Sequence, residues 1–234
     1  ATLLQARLEP ARKIYVEYSN EVWNPLFTQF HYNFERAQIE SQQPGNPLNY
    51  DNNGDGRILT QRRVAKRTLE IGNLFQSVLG ASARDTRFRT IFGARCRAPD
   101  EPREGLRMIA DRYGPPKNYF YGFSTAPYIY IDFGNDVPNL TPQGVIQYLQ
   151  IDADNMEPNA NMEQMGALAY WYGIRYMASE AGTDTTGFNS LESKRLANYD
   201  PAIGPVVKQY LNTFFAWGFG PMVWYVSGAV SWSS

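Results

Sequence analysis

Short runs of β-branched and aromatic residues alternate with longer amphipathic stretches along this chain. Ile14-Tyr15-Val16-Glu17-Tyr18 is the first such run, and residues of that kind favour a pleated, packed strand. It ends in the polar Ser19-Asn20-Glu21 before Val22-Trp23-Asn24-Pro25 turns the chain away. Further strands are predicted at 88–94, 119–128 and 173–180, and a last one at 221–226. Helical spacing precedes each of them. Leu3, Leu4 and Leu8 mark a first helix ended by Pro10, and Phe27–Ala37 covers the end of the first strand. Ile58–Leu79 is a long amphipathic helix stopped by Gly80, whose basic run, Arg62-Arg63 with Lys66-Arg67, reads as a solvated face. Helices are also expected at 104–113, at 142–151 behind the cap Thr141-Pro142, at 161–172 and at 201–217. The order αβ, repeated five times, calls for an α/β fold with parallel strands and right-handed crossovers. No linker divides the chain, so residues 1–234 read as one domain.

Composition narrows the chemistry. The net charge of −1 gives no electrostatic case for nucleic acid or an anionic membrane. No apolar run approaches the ~18 residues of a membrane span. The single cysteine, Cys96, excludes an internal disulfide, and the single histidine, His31, argues against a Ser-His-Asp triad or a multi-His metal site. Acid–base work must therefore come from Asp, Glu and Tyr. The aromatic fraction of 15% fits a large core or a carbohydrate groove equally well.

One loop resembles half of a calcium site. Asp51, Asn53, Asp55 and Gly56 match D-x-[DN]-x-[DN]-G, but the twelfth position is Arg62 where a bidentate Glu is expected. A structural calcium, or a calcium-dependent docking element over 51–57, is the expectation set against a plain glycine-rich turn.

Two predicted strands end in glutamate, Glu21 and Glu180. Reactive groups of parallel α/β barrels sit at the carboxyl ends of strands. Glycoside hydrolysis needs two carboxyl groups flanking one bond. Glu17 shares side-chain parity with Glu21 and is an alternative acid. If buried, it needs a partner such as Arg89, Arg95 or Arg175, or it keeps its proton.

The tips Tyr18-Ser19-Asn20-Glu21 and Ala178-Ser179-Glu180, with the spacing between them, resemble the (β/α)8 glycoside hydrolases of clan A. The resemblance implies a TIM barrel of which this chain supplies about strands 4–8, the strands that would complete it being absent, so that the chain is a C-terminal fragment of a longer protein or is completed by another copy. It implies a retaining mechanism on a β-linked glycan, with Glu21 as acid/base and Glu180 as nucleophile. Asn20 would bond the neighbouring sugar hydroxyl, Tyr128 would donate to Glu180, and Trp224 would be the sugar platform, with Trp217 competing and Trp23 adding an aromatic surface. The wording around Glu21 is similar to that of large secreted bacterial proteins, which implies an extracellular setting and a polysaccharide or oligosaccharide partner, with no cofactor required. The alternative is a catalytically inactive barrel that binds polysaccharide or builds an extracellular assembly.

Overall fold

The computed structural model describes residues 1–131 and 136–225. The chain opens with α1 (Thr2–Arg7), β1 (Ile14–Glu17), α2 (Thr28–Ser41) and the long α3 (Gly56–Leu79). Next come β2 (Phe88–Gly93), α4 (Asp100–Arg112), β3 (Gly122–Thr125) and the two-residue β4 (Ile129–Tyr130). Three helices follow, α5 (Pro142–Asp154), α6 (Met156–Ala160) and α7 (Met162–Trp171), then β5 (Arg175–Ala181) and the short β6 (Thr183–Asp184). The described residues end with α8 (Leu191–Tyr199), α9 (Ile203–Trp217) and β7 (Met222–Trp224).

Five strands form one parallel sheet in the order β1-β2-β3-β5-β7, and β4 pairs with β6 in a separate parallel ribbon. The main sheet is curled like half of a barrel, with helices packed on its outer side. On that side Phe92, Phe123 and Tyr176 lie in one register row across β2, β3 and β5, and each is fully buried. Phe123 stacks on Tyr176 at 5.2 Å, and Tyr176 meets Phe214 of α9 at 5.3 Å. Burying each of these rings contributes roughly 2–3 kcal/mol, so this row fastens the helical layer to the sheet. Alternation turns the neighbouring positions, Glu17, Gly93 and Ser124, to the concave side. There Arg89 lies over the rings of Tyr15 and Tyr121, and Arg175 lies 4.3 Å from the centre of Tyr121.

Several expectations change. The strand expected over 13–21 is regular only at Ile14–Glu17, and the one over 119–128 breaks after Thr125. Helix α4 begins at Asp100, ahead of the expected 104, because Pro99 and Pro102 occupy its cap and first turn, where a missing N–H costs nothing. Helix α8 lies in a stretch where no helix was expected. The basic run of α3 is not a solvated face: Arg62 is 0% and Arg63 4% exposed. Arg63 donates to Glu40, Asn33 and Tyr18, tying α3 to α2 and to the chain just beyond β1. The residues 132–135 of the expected 132–140 loop, and Val226 of the expected last strand, lie outside the described residues.

Candidate active site

The site is built from the carboxyl ends of β1, β3 and β5. Past β1 the backbone enters the left-handed region twice at non-glycine residues, Ser19 at φ 62° and Glu21 at φ 42°. Such conformations cost of order 1 kcal/mol or more each and persist only where the surroundings impose them. Here Asn24 imposes one: its side-chain amide donates to Glu21 Oε2 at 2.8 Å, and its backbone N–H donates to the Glu21 carbonyl. Gln29 donates to the Asn20 carbonyl at 2.7 Å, which leaves the Asn20 side chain exposed. Trp23 is half-buried, and its carbonyl accepts from Arg95. The left-handed turn thus presents Glu21 on a short, braced loop.

Glu180 arrives by a different device. The pairing of β5 with β7 shifts register between Ala178 and Ala181, and such a bulge re-aims the side chains it contains. Tyr128 donates to Glu180 Oε2 at 3.0 Å. The β4–β6 ribbon holds the two segments side by side, with Ile129 N–H donating to the Gly182 carbonyl. Burial, the Glu180 charge and the bond donated to Glu180 all raise the proton affinity of the Tyr128 hydroxyl, so it stays a donor.

Glu17 lies beneath this pair. Its carboxyl rests over Gly93, where a Cβ would stand 2.2 Å from Oε1, and Ser124 donates to Oε2 at 3.3 Å. Burial, first, and then the charges of Glu180 and Glu21 push its pKa up to about 7, against the Ser124 bond. Glu21 is also raised, by burial and then by Glu180, against the bond from Asn24. Glu21 therefore feels the charge of Glu180 across the concave end of the sheet, and Glu17, the third carboxyl group, feels both.

The predicted aromatic surfaces are distributed differently. Trp224 is half-buried, pairs with Ala181, and meets the edge of Tyr210 of α9 at 6.0 Å. Trp217 ends α9, its backbone and Cβ close to Gly166 of α7. In the 51–57 loop, Asp51 is gripped by Arg62 through two bonds of 2.8 and 2.7 Å. Asn53 accepts from Asp55 N–H, and Asp55 caps α3 by accepting from Arg57 and Ile58. Among the described residues, no group of three or more His, Cys, Asp or Glu side chains is arranged to hold a metal, and no helix is long and apolar enough to cross a membrane.

Sequence alone assigns no role to Asn24, Gly93 or Ser124. Ser124 is visible as a polar interruption of an aromatic run, and a glycine inside a strand, such as Gly93, marks the close approach of another group. Comparison with protein families, with curated proteins and with solved structures gave no match.

Proposed function

We propose that this chain carries the catalytic part of a retaining glycoside hydrolase of (β/α)8 type, acting on a β-linked glycan. One observation carries the reading. Glu21, in the turn after β1, feels the charge of Glu180 on β5 at the carboxyl ends of parallel strands, and Glu180 accepts a hydrogen bond from Tyr128. The roles follow from the surroundings. Glu21 has raised proton affinity and suits the acid that protonates the departing oxygen. Glu180, its charge stabilised by Tyr128, attacks the sugar and forms a glycosyl ester. Having given its proton to the departing oxygen, Glu21 stands as a carboxylate beside the ester, where the Glu180 charge that raised its proton affinity is gone. It takes a proton from the water that attacks the sugar carbon, and Glu180 leaves as a carboxylate.

Asn20, exposed beside Glu21, is assigned to a sugar hydroxyl, and Trp23 and Trp224 to apolar sugar faces. The curled five-stranded sheet is assigned to strands 4–8 of a barrel, and the setting to an extracellular polysaccharide. A second reading, an inactive barrel that binds polysaccharide, draws on the contact of Trp224 with Tyr210 rather than with an open cleft.

The test is turnover of aryl β-glycosides by the wild type, Glu21→Gln and Glu180→Gln, with the anomeric configuration of the first product followed by NMR. Loss of about 10³-fold or more in each variant, with retained configuration, is expected. Equal rates in all three proteins overturn the assignment, and polysaccharide binding without turnover in the wild type selects the second reading.

A further inference from the structure

We propose that Glu17 is a pH-sensing carboxyl group next to this site, outside its reacting and binding groups, whose loss of a proton switches the site off as pH rises. The proposal rests on the reading of Glu21 and Glu180 given above and adds a regulator to it.

The geometry is that of a carboxyl group held without a cation. Glu17 reaches across from β1 to lie over Gly93 of β2, the one residue type that leaves room for it, since any Cβ there would collide with Oε1. Ser124 of β3 supplies its hydrogen bond. The arginines that could have neutralised it are engaged elsewhere. Arg89 bonds Tyr15 and lies over Tyr121, Arg95 bonds the Trp23 carbonyl and pairs with Glu101, and Arg175 lies over Tyr121. Among the described residues, no lysine or arginine forms an ion pair with Glu17.

The groups around it are few. Its own strand end contributes Glu21; β2 contributes Gly93 at its level and the engaged Arg89 below. From β3 comes Ser124, with Tyr128 beyond it, and from β5 come Glu180 and, lower, Arg175. The charges that act on Glu17 are those of Glu180 and Glu21, both negative.

A neutral Glu17 fits this niche and leaves the pair above it to carry the charge of the site. An ionised Glu17 makes three carboxylates in one half-buried space, each raising the cost of the others. Its relief is to leave the Gly93 cradle and the Ser124 bond, and a shift there disturbs the pair whose charges it already feels. Its proton affinity, shifted to about 7, puts the change near neutrality.

The experiment compares pH profiles of kcat/KM for the wild type and Glu17→Gln on an aryl β-glycoside, with carboxyl carbons followed by NMR titration of the substrate-free protein. The amide has the shape of the neutral acid, so Glu17→Gln should keep activity within about threefold at pH 5–6 while its alkaline limb moves up by about 1 pH unit or more. One carboxyl signal titrating near 7 in the wild type should vanish in the variant. Gly93→Ala, which fills the cradle, should lower kcat across the whole range. An alkaline limb unmoved in Glu17→Gln, or an active wild type whose carboxyl groups all titrate in the ordinary range, overturns this inference and leaves the hydrolase reading standing. A carboxyl group titrating near 7 in a protein with no turnover overturns the hydrolase reading and the switch with it.

Discussion

Two clusters of acidic side chains in this molecule are built from the same chemistry and behave in opposite ways. In the first, Asp51 and Glu104 close around the fully buried Arg62, which donates to both and to the Leu48 carbonyl, and Arg107 bonds both from outside. The Arg62 bonds pull the Asp51 pKa down to about 2. In the second, Glu17, Glu21 and Glu180 have Ser124, Asn24 and Tyr128 as their side-chain hydrogen-bond donors among the described residues. There burial raises both Glu17 and Glu21. A carboxylate with a cation in place is a fastener, because its protonation state is pinned. Carboxyl groups crowded without a cation stay poised to exchange protons, which is what catalysis requires.

The contrast predicts where mutation costs activity and where it costs stability. The largest effects belong to Glu21→Gln and Glu180→Gln, whose expected loss of turnover comes with thermal stability that is unchanged or slightly raised, because each removes a repelling charge. In the fastener the order reverses. Arg62→Met leaves Asp51 and Glu104 without their shared cation and should cost about 3 kcal/mol in urea unfolding, Arg107 retaining part of the cluster. A loss below about 1 kcal/mol would mean that the cluster is surface decoration.

The same contrast has opposite signs in pH. Asp51 is depressed from 3.8 to about 2, so its contribution to stability is present above 3.8 and is lost as pH falls through about 2. With Asp51 partly exposed, that contribution is of order 1–2 kcal/mol. Glu17 is raised from 4.5 to about 7, so stability is full below 4.5 and is lost as pH rises through about 7. That loss is of order 2–3 kcal/mol. Melting temperatures from pH 2 to 9 should therefore show Asp51→Asn destabilised at neutral pH, with the gap closing toward pH 2. Glu17→Gln should match the wild type near pH 4 and exceed it at pH 8. A Glu17→Gln curve parallel to that of the wild type would remove the basis for the pH switch.

How much of this was legible beforehand follows from the range of each signal. The αβ order and the strand bodies were readable because their periodicity is local. Glu21 and Glu180 could be singled out beforehand because an apolar run that turns polar at Asn20-Glu21 or Ser179-Glu180 is a local signal. The strand of the first nevertheless ends at Glu17, and that of the second runs on to Ala181. What brings Glu180 into the site is a bulge set by pairing with β7, and no local pattern encodes a partner's register. The burial of Arg62 and Arg63 was hidden for a similar reason. Their carboxylates and amides come from Glu40, Asp51, Asn33 and Glu104, on other elements, so a basic run looked like a wet surface. Glu17 lay between the two cases: its parity was readable, and whether an arginine would meet it was not.

The smallest expected effect concerns calcium. The 51–57 loop has the oxygen-rich spelling of a calcium site, but its first oxygen ligand is already held by two guanidinium groups, at 2.7 Å from Arg62 and 3.1 Å from Arg107. Its third and fifth positions spend their side-chain oxygens on the N–H groups of the loop and of the first turn of α3. Arg62 stands at the twelfth position, where an ion would need a carboxylate, and supplies from within the chain the positive charge that a cation would bring. Calcium at millimolar concentration should therefore change the melting temperature by less than about 1 °C, since an ion that does not bind the folded state adds nothing to its stability. In Arg62→Met the same addition should restore part of the lost stability only if Asp51 and Asp55 turn inward to bind it. A rise of several degrees in the wild type would mean that the loop prefers a metal to its arginine, and the line between fastened and poised carboxylates would have to be redrawn.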